Sequence, residues 1–109
     1  MAVPELITIS DLSRRSGVAA SALRYYEAIG LISATRTSGN QRRYRRGVLR
    51  RVAVIRVAQG MGVPLAAIGE ALAALPERRD PTPADWERMS RRWRKDLDVR
   101  IATLTRLRD

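Results

Sequence analysis

Hydrophobic residues recur at three- and four-residue intervals along most of the chain, and this period predicts a mainly α-helical protein. At the N-terminal end, two short helices are predicted over residues 8–16 and 20–29. Thr8 has Asp11 three positions later, as in a capping box, and Gly17 suits a helix end because glycine tolerates positive φ. Two short helices joined by a glycine-containing turn outline a helix-turn-helix.

A β-hairpin is predicted directly after the helix-turn-helix. Extended-type residues over 35–37 and 41–44 flank Ser38-Gly39-Asn40, a sequence typical of tight turns. A helix-turn-helix followed by a hairpin is the arrangement of a winged helix. We therefore predict a winged helix-turn-helix with a small β-hairpin wing.

The rest of the chain predicts three further helices. Aliphatic stripes over residues 47–60 and 64–75 indicate two helices whose apolar faces belong to the core. Residues 76–83 contain three prolines and are interpreted as a linker, and a long helix is predicted over 84–109. We thus divide the chain into a winged domain with connector helices (1–75), the linker and a C-terminal helix.

The long helix carries one apolar stripe. About 26 residues at roughly 1.5 Å each give a rod of about 39 Å. A rod of this length with one apolar face favours pairing with a second copy as a coiled coil, and the alternative is that the helix folds back on its own domain. The predicted dimerisation residues are Trp86, Met89, Trp93, Leu97, Ile101 and Leu104.

Positive charge is concentrated in one segment. The chain has 21 Lys and Arg and 11 Asp and Glu, a formal net charge of +10, and residues 28–69 contain eight arginines and no acidic residue. A positive field confined to one segment indicates a binding site for a polyanion, and the alternative is a solvated basic face. Four of these arginines lie on the predicted hairpin, where they would repel one another without a polyanion: Arg36, Arg42, Arg43 and Arg45.

Several classes of site are excluded by residue types that the sequence lacks. There is no His and no Cys, which removes zinc sites, disulfides, iron–sulfur ligation and thiolate or histidine catalysis from these 109 residues. No phosphate-binding glycine loop is present, so we do not expect an enzyme. No stretch of about 18 apolar residues exists, so we expect no membrane span.

Sequence motifs carry a resemblance to a known family. The segments LRYYEAIGLI (23–32), SGNQRRYRR (38–46) and WRKDLDVRIATLTRLRD (93–109) occur in this order. The chain resembles the MerR family of bacterial transcription regulators and is most similar to its SoxR branch of redox regulators. The resemblance implies a homodimer, joined by an antiparallel coiled coil, that binds a palindromic promoter with an overlong spacer in the bacterial cytoplasm. It also implies that the protein bends and untwists this DNA, so that RNA polymerase engages both promoter elements.

The SoxR branch implies a cofactor. Its signal is oxidation of a 2Fe–2S cluster, held by four cysteines just after the long helix. No cofactor is expected within these 109 residues, and a cluster is expected only if the native chain continues past Asp109. Because the match runs undiminished to the last residue, we favour a longer native protein over a homologue that has lost the cluster.

The resemblance also assigns DNA contacts. The second helix would enter the major groove, with Arg24 reading a guanine edge and either Tyr25 or Tyr26 donating its hydroxyl to a phosphate. The wing would hold backbone phosphates beside the minor groove, and Arg14 and Arg15 would add a flanking contact or lie in solvent. The full set of candidate DNA-binding residues is Arg14, Arg15, Ser21, Arg24, Tyr25, Tyr26, Arg36, Gln41, Arg42, Arg43, Tyr44 and Arg45.

Two other functions fit the positive charge. An RNA-binding protein fits it equally well, but the sequence has no Phe and only three Tyr, which is few for a platform that stacks single-stranded bases. An architectural winged protein would bend DNA without an effector, and the long helix argues against it. The leading interpretation is a sequence-specific dimeric transcription regulator.

Overall fold

The described residues, 5–77 and 79–109, form five helices and three short strands in a computed structural model. The elements are β1 (Leu6–Ile7), α1 (Ile9–Ser16), α2 (Ala20–Ala28), β2 (Thr35–Arg36), β3 (Arg42–Arg45), α3 (Val48–Gly60), α4 (Leu65–Leu72) and α5 (Pro83–Arg108). The mainly α-helical winged helix-turn-helix predicted from the sequence is confirmed, and the helix bounds lie within a few residues of those predicted.

The turn between α1 and α2 is fixed by Gly17 and Ser13. Gly17 has a φ of +73°, and its N–H donates to the Ser13 carbonyl at 2.9 Å. The Ser13 hydroxyl donates in turn to the Val18 carbonyl at 2.7 Å. At the start of α1, the Thr8 hydroxyl accepts from the Asp11 N–H at 3.1 Å, as predicted. These bonds set the direction in which α2 leaves α1.

A three-stranded antiparallel sheet forms the wing, in the order β1-β3-β2. Ile7 lies opposite Tyr44, and Arg36 lies opposite Arg42. In the turn between β2 and β3, Asn40 has a φ of +58°, which Asn adopts more readily than most residues. The predicted hairpin is therefore present. The sequence did not predict β1, because a strand of two residues is too short to show an alternating hydrophobic pattern.

The core lies between α1, α2, β3, α3 and α4. On α3 and α4, the buried positions fall at three- and four-residue steps, as their aliphatic stripes predict. Because the core fixes the inner faces of α2 and the sheet, their outer faces are left to solvent. The largest fully buried side chains are Tyr44, Leu12, Leu23, Ile55, Ile68 and Val52.

α5 begins against the winged domain and ends in solvent. The Thr82 hydroxyl accepts from the Asp85 N–H, and the Asp85 carboxylate accepts from the Thr82 N–H, which completes a capping box. Trp86 and Met89 are buried in the core of their own chain. Beyond them α5 runs on to Arg108, and the structure is 58 Å long on its longest axis. No helix in the described ranges, α5 included, has the length and hydropathy needed to cross a membrane.

The packing of α5 corrects part of the predicted dimerisation stripe. Because Trp86 and Met89 cover the domain from which α5 starts, the alternative that α5 folds back on its own chain is right for its first turns. Trp93 and Leu97 are half-buried. Ile101 and Leu104 remain 60% and 61% exposed. The first half of the stripe therefore completes a core, and the second half is apolar surface.

Candidate nucleic-acid interface

One face of α2 is a continuous exposed stripe. Ser21, Arg24, Tyr25 and Ala28 are exposed at the three- and four-residue steps of one helix face. The opposite face holds the buried Leu23. The structure thus brings three of the predicted base- and phosphate-contacting residues onto one surface.

The two adjacent tyrosines of α2 have different environments. Tyr25 is 54% exposed, whereas Tyr26 is buried and its hydroxyl donates to the Gln59 Oε1 atom of α3 at 2.6 Å. Neighbouring residues of a helix point about 100° apart, so only one of the pair can face outward. Tyr26 is therefore corrected from a candidate DNA contact to a residue that ties α2 to α3, and Tyr25 remains the candidate.

The first turn of α2 has no side-chain cap. Ala19 precedes the helix and makes no side-chain hydrogen bond to its backbone. The amides of a first turn have no partner inside a helix, and together with the helix dipole they attract an anion. The start of α2 therefore favours a negatively charged ligand beside Ser21.

The wing carries guanidinium groups that bond to neutral atoms of the wing itself. The Arg43 guanidinium donates to the Gln41 Oε1 atom at 2.8 Å, and the Arg36 guanidinium donates to the Asn40 carbonyl at 3.2 Å. Neutral acceptors orient a guanidinium without cancelling its charge. The wing thus presents oriented positive charge, together with the half-buried Arg45.

Tyr44 is fully buried, and this corrects its predicted role as a phosphate contact. Its hydroxyl donates to the Glu27 Oε1 atom of α2 at 2.7 Å. Burial, followed by the hydrogen bond to Glu27 and the charge of that carboxylate, raises the pKa of Tyr44 to about 12. The hydroxyl is therefore a protonated donor at neutral pH, and it links the wing to α2 in place of binding DNA.

Glu27 is a site residue that the sequence analysis missed. Its Oε2 atom lies 3.6 Å from the Arg42 guanidinium, so one carboxylate contacts two residues of β3. The positive charges of Arg42 and Arg24 oppose the raised pKa of the Tyr44 hydroxyl, without outweighing burial and Glu27. One signal was available in the sequence, because Glu27 is the last acid before the acid-free run.

The arginines of α1 are paired with acids. The Arg14 guanidinium lies 2.6 Å from the Asp11 carboxylate, so the predicted capping box of α1 is present only as the bond from the Asp11 N–H to the Thr8 hydroxyl. Arg15 lies 3.9 Å from Glu5. Both pairs are at the surface, where such interactions contribute less than about 1 kcal/mol and exchange readily for a phosphate.

Besides Arg42, which pairs with Glu27, four of the eight arginines in the acid-free run contact parts of the protein outside the wing. Arg46 pairs with Glu5 at 3.4 Å, and the Arg50 guanidinium stacks 4.7 Å from the centre of the Trp86 ring of α5. Arg51 donates to the Pro76 carbonyl at 2.9 Å, and Arg56 donates to the Ser16 carbonyl at 3.0 Å. Burial lowers the pKa of Arg51, which remains a cation. The charge excess therefore overstates the number of arginines free for DNA.

The residues present do not fit an iron–sulfur cluster. Thiolates and imidazoles are the ligands of such clusters, and the 109 residues contain neither Cys nor His. Within residues 5–77 and 79–109, no three Asp or Glu side chains converge in a way that could hold a metal ion. We assign no step to a cluster within these 109 residues.

Two family models match the chain. A model described as "MerR HTH family regulatory protein" matches residues 7–75, and one described as "MerR, DNA binding" matches residues 49–109. A transcriptional activator described as a SoxR homolog from Chromobacterium violaceum is 57% identical over 103 residues, which cover 94% of this chain and 70% of the relative.

Solved structures share the fold. The regulator SkgA from Caulobacter crescentus is 28% identical with a TM-score of 0.59, over 94% of this chain and 72% of that one. HiNmlR, a MerR family regulator that lacks the sensor domain and was solved bound to promoter DNA, has a TM-score of 0.61 at 21% identity, over 94% of this chain and 77% of that one. At 21% identity, the similarity to HiNmlR shows a shared fold and nothing more. Since the two family models together span residues 7–109, the chain belongs to the MerR family of helix-turn-helix transcription regulators, near its SoxR branch.

Proposed function

We propose that this chain acts as a homodimer that binds a palindromic promoter and distorts the spacer, so that RNA polymerase engages both promoter elements in the bacterial cytoplasm. One observation carries the proposal. The exposed stripe of α2 and the arginine-bearing wing are joined through the Glu27 carboxylate, which contacts Tyr44 and Arg42. Two surfaces held at a fixed separation can follow a groove and its flanking phosphates together.

The two surfaces suit different parts of a duplex. The planar guanidinium of Arg24 can donate to O6 and N7 of guanine together, which discriminates bases. The wing arginines Arg36, Arg43 and Arg45, with Gln41, suit backbone phosphates, which supply affinity and little sequence information. We accordingly propose that α2 reads bases and that the wing fixes position on the backbone.

The free half of α5 supports the dimer. Ile101 and Leu104 are exposed on the predicted stripe, and Leu107 continues it at 79% exposure. A second copy running antiparallel would cover these side chains and remove apolar surface from water. A two-fold dimer presents two identical α2 helices, and a palindrome offers each of them the same half-site.

The proposed distortion of the promoter depends on the Glu27 contacts within each protomer. Because these contacts hold α2 and the wing at a fixed separation, the DNA has to adapt to the protein. Bending and untwisting a site costs several kcal/mol, and the extra contacts must offset this energy. We therefore expect flexible pyrimidine–purine steps at the centre of the preferred site. A redox response of the SoxR type would depend on cysteines after Asp109, and reading the gene beyond that codon tests this part.

A binding experiment tests the proposal. A duplex is selected by the wild-type protein from a random library, and its affinity is compared with that of a shuffled duplex and an RNA hairpin over a range of salt. We expect preference for a palindromic DNA duplex. If each protomer neutralises four phosphates, the slope of log K against log salt is about −7 for the dimer.

Two variants separate the roles of α2 and the wing. Arg43→Ala is expected to weaken binding to selected and shuffled duplexes alike, because it removes a phosphate contact. Arg24→Ala is expected to weaken binding and to relax the base preference as well, at about 1–3 kcal/mol of discrimination. Equal losses of preference in the two variants would reject this division of roles.

A further inference from the structure

We infer that Glu27 is a specificity-determining residue, because it withholds Arg42 from phosphates at random sites and holds the wing at one distance from α2. The inference rests on the proposed function, in which α2 and the wing bind DNA together. Glu27 lies three positions after Arg24 on α2, at the edge of the exposed stripe.

The geometry gives the carboxylate two partners. Its Oε1 atom accepts from the buried Tyr44 hydroxyl at 2.7 Å, and its Oε2 atom lies 3.6 Å from the Arg42 guanidinium. Alternate residues of a strand share a face, so Arg42 and Tyr44 face α2 while Arg43 and Arg45 face the other side of the wing. The Glu27 and Arg42 side chains are 20% and 47% exposed, so Arg42 can still be reached from solvent.

The negative charge of Glu27 lies between α2 and the wing, where it disfavours the binding of a polyanion. We therefore expect this charge to have a function. The other described acids near the helix-turn-helix, Glu5 and Asp11, pair with arginines of α1 and Arg46. If Glu27 only anchored Tyr44, a neutral acceptor such as Gln would serve equally well. The charge has the further effect of occupying Arg42, which sits on the same wing as the candidate phosphate contacts.

The pairing of Arg42 with Glu27 lowers the affinity for random duplexes more than the affinity for preferred duplexes. Non-specific binding consists almost entirely of phosphate contacts, and any backbone position can supply them to a freed guanidinium. In a preferred site, base contacts and the imposed bend fix where the phosphates lie, so a freed Arg42 adds less. Glu27 thereby lowers background affinity, and its bond to Tyr44 keeps the wing in one position.

The central variant is Glu27→Gln, which retains an acceptor for Tyr44 and removes the charge. Affinity is measured for the selected and shuffled duplexes over a range of salt. We expect affinity for the shuffled duplex to rise about 1.4- to fivefold for each protomer, because the pair between Glu27 and Arg42 no longer competes with a phosphate. The salt slope on that duplex should steepen by about 0.9 per protomer, since one more phosphate is neutralised. The ratio of selected to shuffled affinity should fall.

Three controls identify the cause. Glu87→Gln makes the same change in net charge at an exposed position of α5 and should leave the ratio unchanged. Glu27→Gln combined with Arg42→Ala should lose the steeper slope. Tyr44→Phe, which keeps the Glu27 charge and removes the bond, should weaken binding to the selected duplex without a steeper slope on the shuffled one. Circular dichroism of each variant confirms that the fold is retained.

The outcomes distinguish the inference from the proposed function. If the wild-type protein fails to select any duplex, the proposed function is wrong. If the wild type selects a duplex and Glu27→Gln changes neither slope nor ratio, the inference is wrong while the function stands. A steeper slope that persists without Arg42 would also overturn the inference.

Discussion

Gly17 combines two constraints, and replacing it by Ala tests how the turn of the helix-turn-helix is held. Its φ of +73° is a left-handed conformation, which costs an L-residue about 1–2 kcal/mol. A Cβ at this position would also lie 2.7 Å from the Arg56 Nη1 atom. Arg56 would then have to leave the Ser16 carbonyl, and this loses a hydrogen bond of roughly 0.5–1.5 kcal/mol. We expect Gly17→Ala to lower the free energy of unfolding by about 2 kcal/mol.

Two other glycines separate these contributions. Gly62 has a φ of +84°, and a Cβ added there would meet no atom within 4 Å, so Gly62→Ala should show the backbone strain alone, about 1 kcal/mol. Gly60 ends α3, has no positive φ and has equally open surroundings. Gly60→Ala should therefore stabilise the protein by about 0.5–1 kcal/mol.

Chemical denaturation of the three variants at one protein concentration measures these differences. Equal losses for Gly17→Ala and Gly62→Ala would show that the Arg56 contact contributes nothing. A Gly17→Ala variant as stable as Gly60→Ala would refute the backbone argument itself. In an Arg56→Ala background, Gly17→Ala should cost only the backbone strain, because the Arg56 side chain and its hydrogen bond to the Ser16 carbonyl are already absent.

Three further predictions concern α5 and the wing. Thr82→Ala should lower the free energy of unfolding by about 1 kcal/mol, while Thr82→Ser should not, because the serine hydroxyl can still cap α5; thermal unfolding compares the two. Ile101→Asp should convert a dimer to a monomer in sedimentation experiments, whereas Ser90→Asp, on an exposed position of α5, should not; a dimer that survives Ile101→Asp excludes the proposed interface. The pKa of Tyr44 is raised to about 12, first by burial and then by Glu27, so the contribution of its hydroxyl to stability is complete below a pH of about 10 and is lost as the pH rises from there to about 12. Tyr44→Phe should lack that part of the pH dependence of unfolding, and an unchanged profile would contradict the raised pKa of the buried hydroxyl.

Local pattern is sufficient to predict most of the fold. Helix periods, the Gly17 stop and the Ser38-Gly39-Asn40 turn are encoded by neighbouring residues, and the structure has each of them where the sequence predicts it. β1 has no such signal, because two residues pair with β3 only after the chain has folded. The prediction for the first turns of α5 was wrong for a related reason, since an apolar stripe does not specify whether its own domain or a second copy covers it.

The candidate site was predictable by residue type and less so by orientation. Ser21, Arg24 and Tyr25 share an exposed face, as a helical period requires. Tyr44 is aromatic and lies among arginines, which in the sequence resembles a phosphate contact, yet strand alternation turns it inward. Its partner Glu27 lies 17 positions earlier. Such a pair is set by tertiary packing and has no short-range signature.

The arginines that contact the protein itself change what the salt dependence should show. Arg46, Arg50, Arg51 and Arg56 each have a partner within the chain, and only the pair with Glu5 offsets a charge directly. The other three still raise the positive electrostatic potential of the protein, which acts over about 10 Å at 0.1 M salt. An arginine that contributes only to this potential does not contact a phosphate, so it releases no condensed counterion and does not add to the salt slope. Eight phosphate contacts per protomer would give a slope of about −14 for a dimer, and four give about −7. A measured slope near the larger value would therefore indicate that Arg46 and the arginines of α3 leave their partners and bind DNA in addition to the wing.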